Sequence, residues 1–223
     1  MNYPASVCMV GASGLVGHEL LVLLGLLDEI SSVKAVTRSP LGRLPAGIEN
    51  ILLDFNKLKD YDSVLKADIF VCCLGSTIKK AGSQEAFRKV DHDYVVEFAK
   101  VAERVGAQKF LVVSAMGADA NSSVFYNRVK GEMENDLRKL KIPQTEVFRP
   151  SLILGDRKEH RAGEDIAQKL SPYLNPLLVG PLKKYRAIKA SDIAKAMAIA
   201  ILNFHPGFHV YPSNKIQDIA DQK

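Results

Sequence analysis

The 223 residues are 47% hydrophobic and 25% charged, with 15 Gly and 10 Pro, a balance that excludes collagen-like, disordered and disulfide-rich classes. A chain of this length buries roughly 70–75% of the surface its unfolded form exposes, so one domain forms without a metal or disulfide staple. The net charge of +5, with a pI near 9.0, lies in short clusters: Lys79-Lys80, Arg157-Lys158-Arg161, and Lys183-Lys184 with Arg186. No basic run is interleaved with aromatics and Trp is absent, so the charge reads as solvated faces or an anionic small-molecule site. It argues against nucleic acid and against stable membrane association.

Strands and helices alternate along the chain. Val7-Cys8-Met9-Val10 reads as a buried strand, followed by a glycine turn and a helix over 15–27 that Gly25 weakens. Strands are predicted over 32–36, over 50–53 ending on Asp54, and over 67–74 closed by Gly75. The apolar spacing of Phe87, Val90, Tyr94, Phe98, Val101 and Val105 predicts a helix that stops at Gly106. A strand over 110–113, a helix over 123–140 and a strand over 145–148 follow, the last checked by Pro150. Ser191-Asp192 opens a helix to Leu202, and 209–211 forms a final strand. Apolar strands separated by helices predict an α/β fold, a doubly wound parallel sheet of the Rossmann type. We read 1–223 as a single domain, with 155–189, Pro- and Lys-rich, as a small irregular elaboration on the substrate side.

Cys8, Cys72 and Cys73 are odd in number and lack zinc-ligand spacing, which predicts free thiols in a reducing compartment and no metal. The five histidines likewise show no triad or metal spacing. Met1-Asn2-Tyr3-Pro4 carries no basic n-region, and unbroken apolar runs such as 20–24 fall far short of the ~20 residues of a membrane span. The expected location is cytoplasmic.

Gly11-Ala12-Ser13-Gly14-Leu15-Val16-Gly17 is a G-x-x-G-x-x-G turn between the first strand and the first helix. Gly11 permits the tight turn, Gly14 lets a pyrophosphate approach the backbone N–H groups, and Gly17 allows close helix packing. The helix N-terminus adds partial positive charge. Thr37-Arg38-Ser39 follows the second strand, where an NAD site places an acid for the ribose 2′-hydroxyl. Without that acid, the Arg38 guanidinium and the hydroxyls of Thr37 and Ser39 suit a 2′-phosphate, so NADP(H) is favoured over NAD(H). Asp54 either accepts a bond from the adenine amino group or caps a turn.

Tyr126 and Lys130 form Y-x-x-x-K and share one helical face. A phenol with a pKa of about 10 is a weak catalyst at neutral pH until a nearby ammonium lowers it. Lys130 also reaches ribose hydroxyls. Ser114, at the end of the preceding strand, can hold a substrate carbonyl oxygen beside Tyr126.

With the glycine turn, Ser114, Tyr126 and Lys130 in hand, the chain resembles the short-chain dehydrogenase/reductase superfamily. The residues VDHDYV (90–95), SAMGADANS (114–122), YNRVKGE (126–132) and FRP (148–150) make it most similar to an atypical branch, the Tat-interacting-protein family of NADPH-binding oxidoreductases. The resemblance implies that Leu74 and Gly75 line the adenine–ribose side. It also implies that Ile153 meets the nicotinamide carboxamide and that Arg161 makes a further cofactor contact. Asp91 stands where many members carry an asparagine that anchors a proton-relay water, a departure from the pattern.

The expected activity is NADPH-dependent reduction of a small carbonyl compound, or the reverse alcohol oxidation. Ser114 orients the oxygen, Tyr126 transfers the proton, and Lys130 tunes the tyrosine and holds the ribose. The alternative is an NADPH-sensing regulatory module that binds a protein partner with little turnover; a third, weaker reading is an epimerase using bound cofactor transiently. Superfamily analogy also suggests a homodimer paired through the helices over 87–105 and 123–140.

Overall fold

The computed structural model describes residues 4–155 and 178–222. Seven strands form one parallel sheet: β1 (Ala5–Val10), β2 (Ile30–Thr37), β3 (Ile48–Leu52), β4 (Ile69–Cys72), β5 (Lys109–Val113), β6 (Gln144–Arg149) and β9 (Gly207–Pro212), in the order β3-β2-β1-β4-β5-β6-β9. A small parallel pair, β7 (Ile153–Leu154) with β8 (Ile188–Lys189), stands beside it. The helices are α1 (Leu15–Leu24), α2 (Asp62–Leu65), α3 (Ile78–Ala81), α4 (Gln84–Arg88), α5 (Tyr94–Arg104), α6 (Phe125–Leu137), α7 (Ala190–Leu202) and α8 (Ser213–Ala220). The strand order reverses between β1 and β4, and at such a switch point the crevice at the carboxyl ends of the strands takes ligands.

The central strands β1 and β4 are almost wholly apolar because both faces are covered. Val7, Met9 and Val71 point toward α1 and α7, where they meet Leu20, Leu24, Ile193 and Met197. Their neighbours Cys8, Val10, Phe70 and Cys72 point the other way, onto Val95, Phe98 and Ala102 of α5. Each large side chain buried here contributes about 1.5–3 kcal/mol. Lys109 carries a charge into the interior: fully buried, it donates to the carbonyls of Ala200, Ile201 and Asn203 at 2.6–2.9 Å. It thereby satisfies the carbonyls that α7 leaves open at its C-terminus.

Most elements fall where periodicity put them, lengthened or shortened by a few residues. α1 stops at Leu24 because Gly25 takes over, its N–H donating to the Leu21 carbonyl at 3.2 Å. The helix expected over 87–105 is continuous but not uniform: α4 passes through a π-turn at Lys89–Asp93 into α5, and Asp91 and His92 of that turn are buried. Ser191 does not cap α7, whose N-cap is Lys189. α8, absent from the periodicity reading, buries Ser213, Ile216 and Ala220.

Candidate dinucleotide and active site

The glycine turn sits at the carboxyl end of β1 and abuts the end of β4. Gly11 has φ +83°, and a Cβ there would lie 2.4 Å from the Cys73 carbonyl carbon and 2.7 Å from the Leu74 nitrogen. At Gly17 a Cβ would lie 2.1 Å from the Gly11 carbonyl oxygen, and at Gly14 3.2 Å from the same oxygen. The buried side chains of Ala12 and Val16 anchor the loop, while Ser13 and Gly14 are exposed and Leu15 packs against Gly155. Gly14 caps α1 without a side-chain bond, and no acid occupies the first turn. The N–H groups that open α1 are therefore left for an anion, and these residues fit a pyrophosphate.

The turn after β2 is organised by a residue that went unnoticed in the sequence. Asn50 on β3 donates through Nδ2 to the Ala35 carbonyl and to Thr37 Oγ1, both at 2.8 Å, and its Oδ1 accepts from the Leu41 N–H at 2.8 Å. Thr37 is buried and donates to the Ser39 carbonyl at 2.7 Å, so its hydroxyl holds the turn instead of offering itself to a phosphate. Arg38 and Ser39 are exposed on that turn. Asp54 takes the capping role: its Oδ1 accepts from the N–H of Asn56 at 3.0 Å and from Asn56 Nδ2 at 2.7 Å. Those bonds hold its carboxyl below the usual carboxylate range.

Tyr126 and Lys130 lie one turn apart at the start of α6, and the Tyr126 ring stands 5.4 Å from the buried Phe87 ring. Gly131 makes their helix possible at this position, since a Cβ there would fall 2.1 Å from the Ala120 nitrogen. Lys130 is buried, and its ammonium lies 2.8 Å from Asp91 Oδ1. The other Asp91 oxygen accepts from the Ser76 N–H at 2.8 Å. Burial would lower the lysine's pKa, but the charges of Asp91 and Tyr126 outweigh it and hold the pKa above its ordinary value. The segment after β4 thus backs the glycine turn through Cys73 and Leu74 and clasps Asp91 through Ser76, with Gly75 beside Asp91.

Ser114 is buried at the end of β5, and its hydroxyl donates to Glu134 Oε1 at 2.5 Å. Its one proton is thus spent within the protein instead of standing free for a substrate oxygen. Glu134 also accepts from Arg149 at the end of β6, from Nη2 at 2.5 Å and from Nε at 3.0 and 3.1 Å. Glu134 lies one turn beyond Lys130, so helical arithmetic alone would have put it on the same face. Ile153 is half-buried on β7, and Arg161, with the basic pair Arg157-Lys158, lies outside the described residues. The three thiols are free, and burial pushes those of Cys8 and Cys72 up to about 12, so they stay protonated.

A parallel sheet with a glycine turn at its switch point defines an α/β dinucleotide-binding protein. Residues 11–169 match the model of the NAD(P)H-binding family, and the chain belongs to that family. Protein HTATIP2 of Rattus norvegicus is 39% identical over 168 residues, 74% of this chain and 69% of that protein. Protein FMP52, mitochondrial, of Candida albicans is 32% identical over 196 residues, 85% of each. Among solved structures, MoeE5 in complex with UDP-glucuronic acid and NAD superposes with a TM-score of 0.69 over 92% of this chain and 75% of that one. At 15% identity that is a likeness of fold.

The fungal FMP52 relatives are named as mitochondrial proteins, which overturns the expectation of a cytoplasmic location. Free thiols do not choose among reducing compartments. No helix among the described residues is long and apolar enough to cross a membrane.

Proposed function

We propose that this chain is an NADPH-dependent oxidoreductase of the short-chain dehydrogenase type, acting on a small carbonyl or alcohol substrate. The observation that carries the reading is the Tyr126/Lys130 pair at the opening of α6, on the same sheet rim as the Gly11–Gly17 turn. That turn and the first N–H groups of α1 would hold the pyrophosphate. Arg38 and the Ser39 hydroxyl receive the adenosine 2′-phosphate, with no carboxylate at 37–39 to repel it. Leu74 and Gly75 flank the adenosine half, and Ile153 the nicotinamide half. The bound nicotinamide supplies the hydride; the chain holds the substrate oxygen and moves the proton.

Tyr126 donates that proton to the carbonyl oxygen during reduction and receives it back during oxidation. Lys130 stays charged on Asp91 and offers its remaining N–H bonds to ribose hydroxyls. Ser114 orients the substrate oxygen by rotating its hydroxyl off Glu134 when substrate arrives. Tyr126→Phe tests the reading: turnover across a panel of small carbonyl compounds falls by about 10²–10⁴ while NADPH titration by fluorescence is unchanged. Equal turnover in the variant and the wild type overturns it.

One observation favours a second reading, a cofactor-sensing module with little turnover. Lys130 and Ser114 are both engaged with buried carboxylates, Asp91 and Glu134. Such pairs would keep the rim rigid in a protein that only binds. Under that reading Tyr126→Phe changes neither NADPH affinity nor any partner binding.

A further inference from the structure

We propose that the substrate is an apolar carbonyl compound, held by its hydrocarbon part along an arc of side chains that runs from Leu15 to Phe125. The inference rests on the hydride-transfer reading above and adds to it the chemical class of the substrate. Reduction of such a compound adds a hydride from the nicotinamide to the carbonyl carbon and the Tyr126 proton to its oxygen. It leaves an alcohol and the oxidised cofactor.

Contacts within the chain trace this arc from the glycine turn to the phenol. The Leu15 side chain packs on Gly155, directly after β7, where a Cβ would lie 3.0 Å from it. The bend before β7 is tied to the end of β5, since the Met116 N–H donates to the Pro150 carbonyl at 2.9 Å. Gly117 in turn lies against Asn127: a Cβ there would fall 3.2 Å from Asn127 Nδ2, and the Asp119 N–H donates to the Asn127 carbonyl at 3.1 Å. Asn127 adjoins Tyr126 at the opening of α6, where the Phe87 ring stands 5.4 Å from the Tyr126 ring and 5.9 Å from the Phe125 ring. Along this path Leu15, Met116, Phe125, Ile153 and Leu154 are each partly exposed, and Val124 is 55% exposed. An apolar lining with few polar groups is the usual make-up of a small-molecule pocket.

Polar side chains near the same path are turned to partners of their own. Arg149 is held by Glu134, its Nη2 donating at 2.5 Å. Arg128 donates through Nη1 to the carbonyls of Ser122 at 2.9 Å and Ser123 at 3.3 Å, and its guanidinium lies 5.7 Å from the Phe125 ring centre. The Ser151 hydroxyl donates to the Arg186 carbonyl. The Asn127 carboxamide, against Gly117, gives the path a polar group. A sugar or a phosphorylated compound lying here would give up water from many oxygens and find few donors in exchange. A hydrocarbon gains about fourfold in affinity for each methylene it buries.

The test is calorimetric titration of the full chain, saturated with NADPH, with straight-chain primary amides from butanamide to octanamide, whose carbonyl is not reduced. Affinity should rise by about fourfold per added methylene, with a negative heat-capacity change. Adipamate, which ends in a carboxylate, should bind at least about tenfold more weakly than hexanamide. An affinity that does not rise with chain length, or adipamate binding as tightly as hexanamide, overturns the proposal. A second copy of the chain covering the arc would give the same flat series, with a doubled mass by light scattering, and overturns it too. Phe125→Ser and Met116→Ser each remove apolar surface and should cut octanamide affinity by about tenfold. Undiminished affinity in a folded variant puts the amides elsewhere, and the proposal fails; where neither variant folds, the wild-type series decides. The amides bind without turnover, so a flat series strikes the substrate class alone, whereas full activity in Tyr126→Phe strikes the hydride-transfer reading.

Discussion

The carbonyl oxygen of Gly11 stands 2.1 Å from where a Cβ on residue 17 would be. Two glycines six positions apart therefore share one space: the chain turns over itself at Gly11, and α1 sits directly on that turn. The first N–H groups of the helix are brought against the sheet rim only because neither residue carries a side chain.

Gly17→Ala is accordingly expected to push α1 off the turn. Overpacking of this kind costs about 1–3 kcal/mol, visible as a lower melting temperature. NADPH affinity should fall by more than about tenfold, because backbone donors aimed at an anion are displaced. A variant that melts lower yet binds NADPH normally would show that the turn does not hold the phosphates.

Arg38 is the exposed cation on the turn that Asn50 braces. Removing a charged hydrogen bond costs about 1.5–3 kcal/mol, so Arg38→Ala should weaken NADPH binding by about 10- to 100-fold. NADH, which has no 2′-phosphate, should bind about as before. Paired fluorescence titrations read both numbers, and a parallel loss for the two cofactors would remove Arg38 from the 2′-phosphate.

Glu134 joins three elements, taking bonds from Ser114 on the β5 end and Arg149 on the β6 end while belonging to α6. Removing one partner of a buried ion pair costs about 3–5 kcal/mol; Arg149 keeps some access to water, so the lower end is expected for Glu134→Ala. Urea unfolding measures it. Glu134→Gln should lose less, because the amide oxygen still accepts from Ser114.

Glu146 on β6 is buried, and one of its oxygens has no hydrogen-bond partner. Burial raises its pKa, with the Lys109 charge and a Gln144 hydrogen bond opposing in part. The folded chain then binds this proton more tightly than the unfolded one. Its contribution is fully present below the unfolded value of about 4.3 and is lost as pH rises through the raised one. Glu146→Gln should therefore be more stable than wild type at neutral pH, with the difference shrinking toward acid. Melting curves across that range check it, and a variant less stable at pH 7 contradicts it.

How much of this was legible in the sequence depends on the kind of interaction. The strand of Val7 to Val10 could be read because a sheet covered on both faces needs an unbroken apolar run. The stop after α5 could be read because Gly106, at φ +75°, occupies a conformation that other residues avoid. Tyr126 and Lys130 could be paired because helical spacing is local. The π-turn could not, since Phe87 and Tyr94 keep an acceptable helical rhythm across it. Asn50 left only a faint mark, one amide in an apolar strand, and α8 lay beyond the last strong periodic signal.

The glycine turn, the alternation of strand and helix, and the Tyr–Lys spacing belong to the sequence itself, since each depends on residues close together in the chain. Which carboxylate each buried polar group takes, Asp91 for Lys130 and Glu134 for Ser114 and Arg149, was decided only when the sheet ordered its strands. A buried charge must find its partner across whatever surfaces packing brings into contact, and that choice is set by three-dimensional distance and the exclusion of water.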